Sequence, residues 1–351
     1  MSIQDSGKAN KEGHKPAGTV SGCQKTARNC GSRKSQTQDS ADSTCIKTVA
    51  LIGAGAIGCY FIWGMADVLG DRFSVVAEGD RAERLRRDGV VINGRRYSLN
   101  VRSSDEARGA DLLLIATKYD GLENAIPAVR TITEGADTIV LSLLNGIDSE
   151  EILAEAIGEE KILNSYMVIA SHRKGNSVNF DPEVTKGMVF GDKNTPEKTS
   201  RCEAVEQLFA QCRSRATWVP NIVQMQWAKY ARNISYNIPQ AILSVGIGAF
   251  RDSEHVWFIA RQLEKEVDAV GKAYGVDVPP IDRHFNDRYD PRSRYSTLQD
   301  LDAGRHTEIE MFCGVLMKKA AAKNIPVPTA ELCYHLVRAL EEKNDGLFDY
   351  Q

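Results

Sequence analysis

The sequence predicts an α/β protein in which a parallel sheet covered by helices is followed by an all-helical part. Up to about residue 220, short apolar runs of strand length alternate with helical stretches. The first of these runs leads directly into a glycine-rich turn, and beyond residue 220 only helical periodicity remains. Strands that are apolar on both faces and alternate with helices are typical of parallel sheets buried between two helical layers.

The composition limits the kinds of partner that the chain can have. Its 351 residues suffice for two domains, and 42% hydrophobic and 26% charged residues are ordinary for a globular protein. A net charge of −3 gives no general attraction to nucleic acid or to anionic membranes, so we expect neither as a partner. No apolar run reaches the roughly 18 residues that a membrane-spanning helix needs.

Residues 1–45 differ from the rest of the chain. They are rich in Ser, Lys, Gly, Gln and Asn and nearly free of large apolar side chains. Such a segment buries too little surface to offset its ordering entropy, which predicts a disordered polar tail. It also lacks the apolar core of a secretory signal.

The eight cysteines form no Cys-x-x-Cys pair and show no zinc-ligand spacing with histidine. We therefore expect reduced thiols, a cytoplasmic protein and no bound metal. Two of the cysteines, Cys202 and Cys212, are predicted to lie semi-buried on one helix. The full set is Cys23, Cys30, Cys45, Cys59, Cys202, Cys212, Cys313 and Cys333.

The first domain is predicted to span residues 46–220 and to contain every strand. A hairpin is expected at Val90–Leu99, because Asn93-Gly94 favours a tight turn. The predicted strands are Thr48–Ile52, Phe73–Ala77, Leu112–Ala116, Thr138–Leu144, Ile162–Ala170, Val184–Phe190 and Ala216–Val219. The predicted helices are Cys59–Gly70, Arg81–Arg87, Gly121–Thr131 and Glu150–Ile157.

The second domain is predicted to span residues 221–345 and to consist of helices alone. Apolar residues recur there at helical spacing in four stretches. These stretches are Val223–Ser235, Val256–Ala273, residues 298–322 and Thr329–Glu342.

The glycine-rich turn after the first strand predicts a dinucleotide site. In the G-x-G-x-x-G pattern, the first glycine permits the tight turn, the second lets the backbone approach a pyrophosphate, and the third lets helix and strand pack closely. The phosphate would lie at the helix N-terminus, where free N–H groups and the helix dipole favour an anion. A strand before the motif and a helix after it make this a Rossmann-type site. Its residues are Gly53, Ala54, Gly55, Ala56, Ile57 and Gly58.

Polar residues at the ends of later strands extend this site. Glu78 ends the second strand, where a carboxylate accepts from a ribose diol and repels a 2′-phosphate, so it favours NADH. The nearby Arg81 could instead reach a phosphate. Lys118 and Asn145 follow two further strands, and ligands of open parallel sheets bind beyond the strand C-termini. A surface lysine and a plain Asn-Gly turn are the structural alternatives.

Lys229, Asn233 and Asn237 are spaced by four residues and would share one helix face. A cation followed by two amides on one face suits a small polar ligand, although a solvated helix face would show the same spacing. This set combines with the strand-end Asn145-Gly146, with Ser296 in SxLQD, and with Glu308 in RHTEI. Together these motifs resemble the ketopantoate reductase (2-dehydropantoate 2-reductase) family over about residues 47–342.

The resemblance implies a Rossmann domain and a helical domain with the substrate between them, and reduction of ketopantoate by NADPH. It also implies that Lys229 is catalytic, with Glu308 as its partner, and that Glu310 is a weaker candidate for that partner. Asn233, Asn237 and Ser296 would bind the substrate, and Lys118 and Asn145 would lie on the cofactor side. Hydride addition builds charge on the carbonyl oxygen, which an ammonium stabilises and protonates.

Two features depart from the family pattern. Glu78 stands where relatives commonly have arginine, and Asn237-Ile238-Pro239 shifts a proline by one position. The alternatives are therefore a related reductase of another small 2-oxo acid, or a non-catalytic protein that senses NAD(H). A homodimer is the expected assembly.

Overall fold

The computed structural model describes residues 45–348 and residue 350. Within this part, twelve strands and eleven α-helices confirm the α/β class and the all-helical C-terminal half. The tail predicted for residues 1–45 lies outside the described residues, except for the exposed Cys45. The strands are β1 Val49–Ile52, β2 Phe73–Val76, β3 Val90–Ile92, β4 Arg95–Tyr97, β5 Val101–Arg102, β6 Leu112–Ile115, β7 Ile139–Ser142, β8 Ile162–Val168, β9 Ser171–Lys174, β10 Ser177–Phe180, β11 Gly187–Gly191 and β12 Ala216–Trp218.

The helices of the first half alternate with these strands, and those of the second half follow one another directly. The change from strands to helices falls between the end of β12 and Ile222. The helices are α1 Ala56–Leu69, α2 Gly79–Asp88, α3 Leu122–Thr133, α4 Ser149–Ile157, α5 Ser200–Ala210, α6 Ile222–Leu243, α7 Ala249–Asp252, α8 Glu254–Ala273, α9 Ser296–Asp302, α10 Val315–Ala321 and α11 Pro328–Asn344.

The main sheet has eight strands in the order β12-β11-β8-β7-β6-β1-β2-β5. Pairing is parallel from β8 to β5, and β1 lies between β2 and β6. Because the chain leaves β1 in one direction for β2 and later returns on the other side for β6, a crevice opens at the carboxyl end of β1. The glycine-rich turn lies there.

The predicted all-parallel sheet is wrong at one edge, because β11 runs antiparallel to β8. The strand expected at Val184–Phe190 begins only at Gly187. Between β8 and β11 the chain forms β9 and β10, which belong to a second, four-stranded sheet of order β4-β3-β10-β9. The same sheet contains the predicted hairpin, β3 and β4, with its turn at Asn93-Gly94. The detour through this sheet returns the chain in the opposite direction.

Both faces of the main sheet are buried, which explains its uninterrupted apolar runs. On one face, Leu51 packs in a cluster with residues of α1 and α5. On the other, Ala50 and Ile52 pack in a cluster with residues of α3 and α4. Cys202 is buried on α5, whereas Cys212 lies beyond the end of that helix and only partly buried. The prediction that both cysteines share one helix is therefore wrong for Cys212.

The helical half has its own core, formed mainly by α6, α8, α10 and α11. Its central helix, α6, has 22 residues and continues through Pro239, well beyond the predicted end at Ser235. Because proline donates no backbone hydrogen bond, a helix accommodates it only when tertiary packing offsets the loss. Tyr236 and Ile238 beside Pro239 are fully buried and provide such packing. A π-helical turn at Glu310–Gly314 leads into α10. Such turns are frequent at functional sites.

Candidate active site

The turn after β1 has the geometry of a phosphate cradle. A Cβ added at Gly53 would overlap the carbonyl of Ala116 at the end of β6, and one added at Gly58 would overlap the carbonyl of Gly53. At Gly55 a Cβ would instead make only ordinary van der Waals contacts, with its nearest neighbours 3.8 and 3.9 Å away. Gly55 also precedes α1 without a side-chain cap. The free N–H groups of the first helical turn are therefore available to a pyrophosphate.

Arginines surround this cradle. Arg173 of β9 places its Nη1 atom 3.8 Å from the Cβ position of Gly55, while its Nε atom donates to the carbonyl of Gly175 at 3.1 Å. Burial, together with the positive charges of Arg84 and Arg173, lowers the pKa of Arg81. None of these three arginines forms an ion pair with another described residue. An anionic cofactor would relieve their mutual repulsion.

Glu78 lies at the end of β2, as predicted for a ribose-binding carboxylate. Its Oε1 atom accepts hydrogen bonds from the backbone N–H of Ser104 at 2.7 Å and from the hydroxyl of Ser104 at 2.9 Å. Its Oε2 atom accepts none from the described residues. One oxygen thus orients the carboxylate, and the other remains available to a ribose diol.

The ends of β6 and β7 bring the other cofactor-side residues to the same edge of the sheet. Lys118, beyond β6, forms an ion pair with Asp300 of α9, with Nζ and Oδ2 3.4 Å apart. Asn145, beyond β7, lies next to Gly146, whose added Cβ would lie 2.9 Å from Met311 of the π-helical turn. Both strand ends therefore touch the helical half, so the Asn145-Gly146 segment is more than an isolated turn.

Lys229 of α6 completes this junction. Its Nζ atom donates to Asn145 Oδ1 at 2.7 Å and lies 5.4 Å from the ring centroid of Tyr166 in β8. These contacts connect the helix to the strand ends across 84 residues of sequence. The lysine is half-buried, and burial lowers its pKa from 10.5 to about 8. Glu308 and Glu150 oppose this shift, whereas Arg232 adds to it.

Asn233 and Asn237 follow Lys229 on the same face of α6. Asn233 is half-buried, and Asn237 is buried with its Oδ1 atom lacking any hydrogen-bond partner among the described residues. A buried acceptor without a donor is costly unless a ligand supplies one. Ser296 is the exposed first residue of α9, a helix that packs against α6.

Glu308 lies just before the π-helical turn. Its Oε1 atom accepts from the backbone N–H of Tyr119 at 3.3 Å, and burial raises the pKa of its carboxyl group. It makes no ion pair with Lys229, although its charge raises the pKa of that lysine. Among the described residues, it is Asn145 that accepts a hydrogen bond from the Lys229 ammonium, and the pairing of Lys229 with Glu308 stays a prediction. Glu310 is exposed and accepts from the Tyr334 hydroxyl at 2.9 Å.

A buried polar network lies one turn before Lys229. Gln226 donates to Glu150 Oε1 at 2.7 Å and to the Ser165 carbonyl at 2.9 Å, and its own Oε1 accepts from Asn164 at 2.9 Å. Glu150 also accepts from Ser149 and from the backbone of Ser165. Burial raises the pKa of Glu150. The network fixes the start of α6 to β8 and α4.

The sequence interpretation did not single out Arg173, Tyr166, Arg232 or the Gln226–Glu150 pair. Arg232 could have been recognised from the sequence, because it adjoins Asn233 on the predicted helix. The other residues are brought to the site by tertiary packing, and nothing in their local sequence marks them.

Among the described residues, no group of three or more His, Cys, Asp or Glu side chains could hold a metal ion, and no helix could cross a membrane. The six cysteines in this part of the chain are all free thiols.

A dinucleotide bound at the glycine turn would extend its nicotinamide beyond the strand ends, where the Lys229 ammonium lies. An ammonium in this position suits hydride exchange between a carbonyl and an alcohol. The protein is thus a nicotinamide-dependent oxidoreductase of the class that acts on CH–OH groups. A family model described as "Ketopantoate reductase PanE/ApbA" matches residues 49–193, and one described as "Ketopantoate reductase PanE/ApbA C terminal" matches residues 221–341. The chain belongs to the ketopantoate reductase family.

Individual relatives agree with this assignment. The 2-dehydropantoate 2-reductase of Pyrococcus horikoshii is 27% identical over 308 residues, which cover 85% of this chain and 99% of the relative. The crystal structure of a PanE/ApbA family ketopantoate reductase from Ralstonia eutropha is 25% identical, with a TM-score of 0.69 and coverage of 85% and 99%. D-mandelate dehydrogenase in a ternary structure with NADH and anilino(oxo)acetate shares the fold at 20% identity and a TM-score of 0.72, with the same coverage.

The lowered pKa of Lys229 predicts a pH dependence of carbonyl reduction. The protonated ammonium is the required form, so kcat/KM should be constant below pH of about 8 and should fall tenfold per unit above it. Steady-state rates between pH 6 and pH 10 measure this profile. In Lys229→Arg, whose guanidinium stays charged, the break near pH 8 should disappear along with most of the activity. An unchanged break in that variant would assign the titration to another group.

Proposed function

We propose that the protein reduces ketopantoate to pantoate, a step of pantothenate and coenzyme A biosynthesis. The observation that carries this proposal is the 2.7 Å hydrogen bond between Lys229 and Asn145. It holds a proton donor at the strand ends where the reacting carbon of the substrate would meet the cofactor. Relatives named 2-dehydropantoate 2-reductase, matched over nearly their whole length, support the choice of substrate.

Each residue of the site has a role in this reaction. A bound reduced nicotinamide would supply the hydride. Lys229 stabilises the negative charge that develops on the keto oxygen and delivers a proton to it. Asn145 directs the lysine, and Glu308 favours its charged form through space. The buried Oδ1 atom of Asn237 has no donor among the described residues, which supports a position of this side chain against the bound substrate.

The remaining polar groups bind substrate and cofactor. Asn233 and Ser296 donate hydrogen bonds to the substrate, and Glu308 accepts from its hydroxyl group. Lys118 follows the end of β6 and is itself exposed, so it can leave its 3.4 Å ion pair with Asp300 and contact the cofactor. The glycine turn binds the pyrophosphate.

For the cofactor, we propose NADH as the preferred form, in contrast to the NADPH that the family resemblance implies. The support is the Glu78 carboxylate, which Ser104 orients and whose second oxygen is free to accept from a ribose diol. Glu78→Arg should invert the preference, with Arg81 adding a second contact to the 2′-phosphate. The ratio of kcat/KM for NADH and NADPH measures this change. A wild-type preference for NADPH, or a ratio that the substitution leaves unchanged, would refute the role of Glu78.

The deciding experiment is oxidation of NADH and NADPH by the purified protein with ketopantoate and a panel of other 2-oxo acids. Turnover of ketopantoate well above that of the other acids supports the proposal. Activity confined to another acid would retain the mechanism and exclude the pantothenate route. Tight binding of NADH without any turnover would instead favour a non-catalytic sensor.

A related reductase of another 2-oxo acid is the second candidate. It is favoured by the position of Pro239, which differs from the usual family spacing and lies two residues after Asn237. D-mandelate dehydrogenase, whose ternary structure is with NADH and anilino(oxo)acetate, has the same fold. Pyruvate, 2-oxoisovalerate and phenylglyoxylate therefore belong in the panel.

We also propose a cytoplasmic homodimer whose chain divides into two domains near residue 220. A ketopantoate reductase from Staphylococcus aureus that is described as dimeric shares the fold. Sedimentation equilibrium of the purified chain tests the assembly, and a monomer at micromolar concentration would refute it.

A further inference from the structure

Arg232 lies inside the turn of α6 that carries the proposed catalytic residues. It follows Lys229 by three positions and directly precedes Asn233. Residues three apart on a helix are surface neighbours, with Cβ atoms about 5–6 Å apart. Arg232 is half-buried, and its guanidinium carbon lies 5.1 Å from the ring centroid of Phe285. The ring, from the segment between α8 and α9, supports the flat guanidinium group.

The guanidinium of Arg232 has no acceptor among the described residues. It forms neither a hydrogen bond nor an ion pair with them, whereas Arg283 pairs with Glu254 and Arg338 pairs with Glu341, each at 2.7 Å. A guanidinium carries five N–H donors, and those of Arg232 are left to solvent or to a ligand. A cation with no carboxylate partner beside the proposed catalytic residues is available to an anionic group of the substrate.

The charge of Arg232 acts on the same space as that of Lys229. Burial lowers the pKa of Lys229 and the Arg232 charge adds to that shift, whereas burial raises the pKa values of Tyr166 and Tyr295 and the Arg232 charge partly offsets the rise. Tyr166 contacts the Lys229 ammonium, and Tyr295 adjoins Ser296 at the start of α9. The charge of Arg232 therefore reaches both Lys229 and Tyr295, the residue before the proposed substrate-binding Ser296. Glu308 and Glu150 are the carboxylates whose charges reach Lys229.

We propose that Arg232 binds the carboxylate of the substrate and makes the site selective for 2-oxo acids over neutral carbonyl compounds. This inference rests on the proposed function, because it assumes that Lys229 engages the keto oxygen. In a 2-oxo acid the carboxylate is bonded directly to the keto carbon. Two cations on neighbouring positions of one helix face, Lys229 and Arg232, therefore match the keto oxygen and the carboxylate. The planar guanidinium pairs with a carboxylate through two parallel hydrogen bonds, which a lysine cannot reproduce.

The test compares a 2-oxo acid with its methyl ester in the wild type and in Arg232→Gln. The wild type should prefer the acid strongly. In the variant, kcat/KM for the acid should fall roughly 30- to 100-fold, mostly through KM, while that for the ester stays within about threefold. Arg232→Lys should recover only part of the loss. An acid-to-ester ratio that Arg232→Gln leaves unchanged would overturn the inference.

Arg288→Gln is the matched control, because Arg288 stacks on the same Phe285 ring at 5.8 Å. It should leave the acid-to-ester ratio unchanged, and a loss equal to that of Arg232→Gln would reduce both arginines to packing roles. Arg232→Gln should also move the basic limb of the pH profile upward, since a cation next to Lys229 is removed.

A binding measurement separates this inference from the proposed function. Oxamate, an unreactive analogue of a 2-oxo acid, is titrated into the protein–NADH complex while the nicotinamide fluorescence is recorded. Binding to the wild type and not to Arg232→Gln supports the anion site, even if no 2-oxo acid is turned over. Equal binding by both proteins overturns the role of Arg232, even if ketopantoate is reduced.

Discussion

Replacing Lys229 with alanine should lower kcat for carbonyl reduction by about a thousandfold or more. The substitution removes the proton donor and the charge that stabilises the developing alkoxide, and each of these contributions is typically worth about two to four orders of magnitude. Affinity for the reduced cofactor should change by less than about threefold, because the glycine turn lies on a different element. Stopped-flow measurement of a single turnover isolates the chemical step, and fluorescence titration gives the cofactor affinity.

Two controls sharpen this test. Lys265→Ala removes an exposed lysine from α8 and should leave both quantities unchanged. A small amine such as ethylammonium, added to Lys229→Ala, should restore part of the lost rate by occupying the space beside Asn145. Turnover of Lys229→Ala within tenfold of the wild type would remove the lysine from the mechanism.

The second large effect is expected at the glycine turn, where Gly55→Asp should abolish cofactor binding without weakening the fold. Gly55 has an ordinary φ of −81°, and a Cβ at this position would meet no atom closer than 3.8 Å. Aspartate is also a favoured residue immediately before a helix, so the melting temperature should stay equal or rise slightly. The same carboxylate occupies the phosphate position and repels the anion, which should weaken NADH binding more than a hundredfold.

Neighbouring glycines provide the contrast. Gly58→Ala introduces a Cβ that overlaps the Gly53 carbonyl, so it should lower the melting temperature as well as the affinity. Gly55→Ala should weaken binding only partly, because it adds bulk without charge. Calorimetry and differential scanning fluorimetry give the two quantities for each variant. Native affinity in Gly55→Asp would mean that the cofactor binds elsewhere.

The layout of the fold was predictable because it depends on local patterns. The strands buried on both faces are continuous apolar runs, and the Asn93-Gly94 turn marks its own hairpin. β9 and β10 were not predicted, because neither has an uninterrupted apolar pattern. Both lie in the small second sheet, and β9 is the polar run SHRK. The full length of α6 was also not predicted, because a proline normally ends a helix and here tertiary packing overrides that tendency.

The candidate site was predictable in its residue types and less so in its contacts. The spacing of Lys229, Asn233 and Asn237 predicts a common helix face, which the continuous helix provides. The partner of Lys229 was not predictable, because Asn145 is 84 residues away and its approach depends on how α6 packs against the sheet. The same holds for Ser104 beside Glu78, since a strand neighbour brings the two together.

The buried Gln226–Glu150 network has a consequence for how the molecule moves. It attaches the first turns of α6 to β8 and α4, so Lys229, three residues after Gln226, belongs mechanically to the sheet that would hold the cofactor. The contact with Asn145 strengthens that attachment. The distance from the lysine to a cofactor bound at the strand ends would then be set by the sheet rather than by the outer helices of the helical half. Substrate could enter and leave without disturbing the alignment between proton donor and hydride donor.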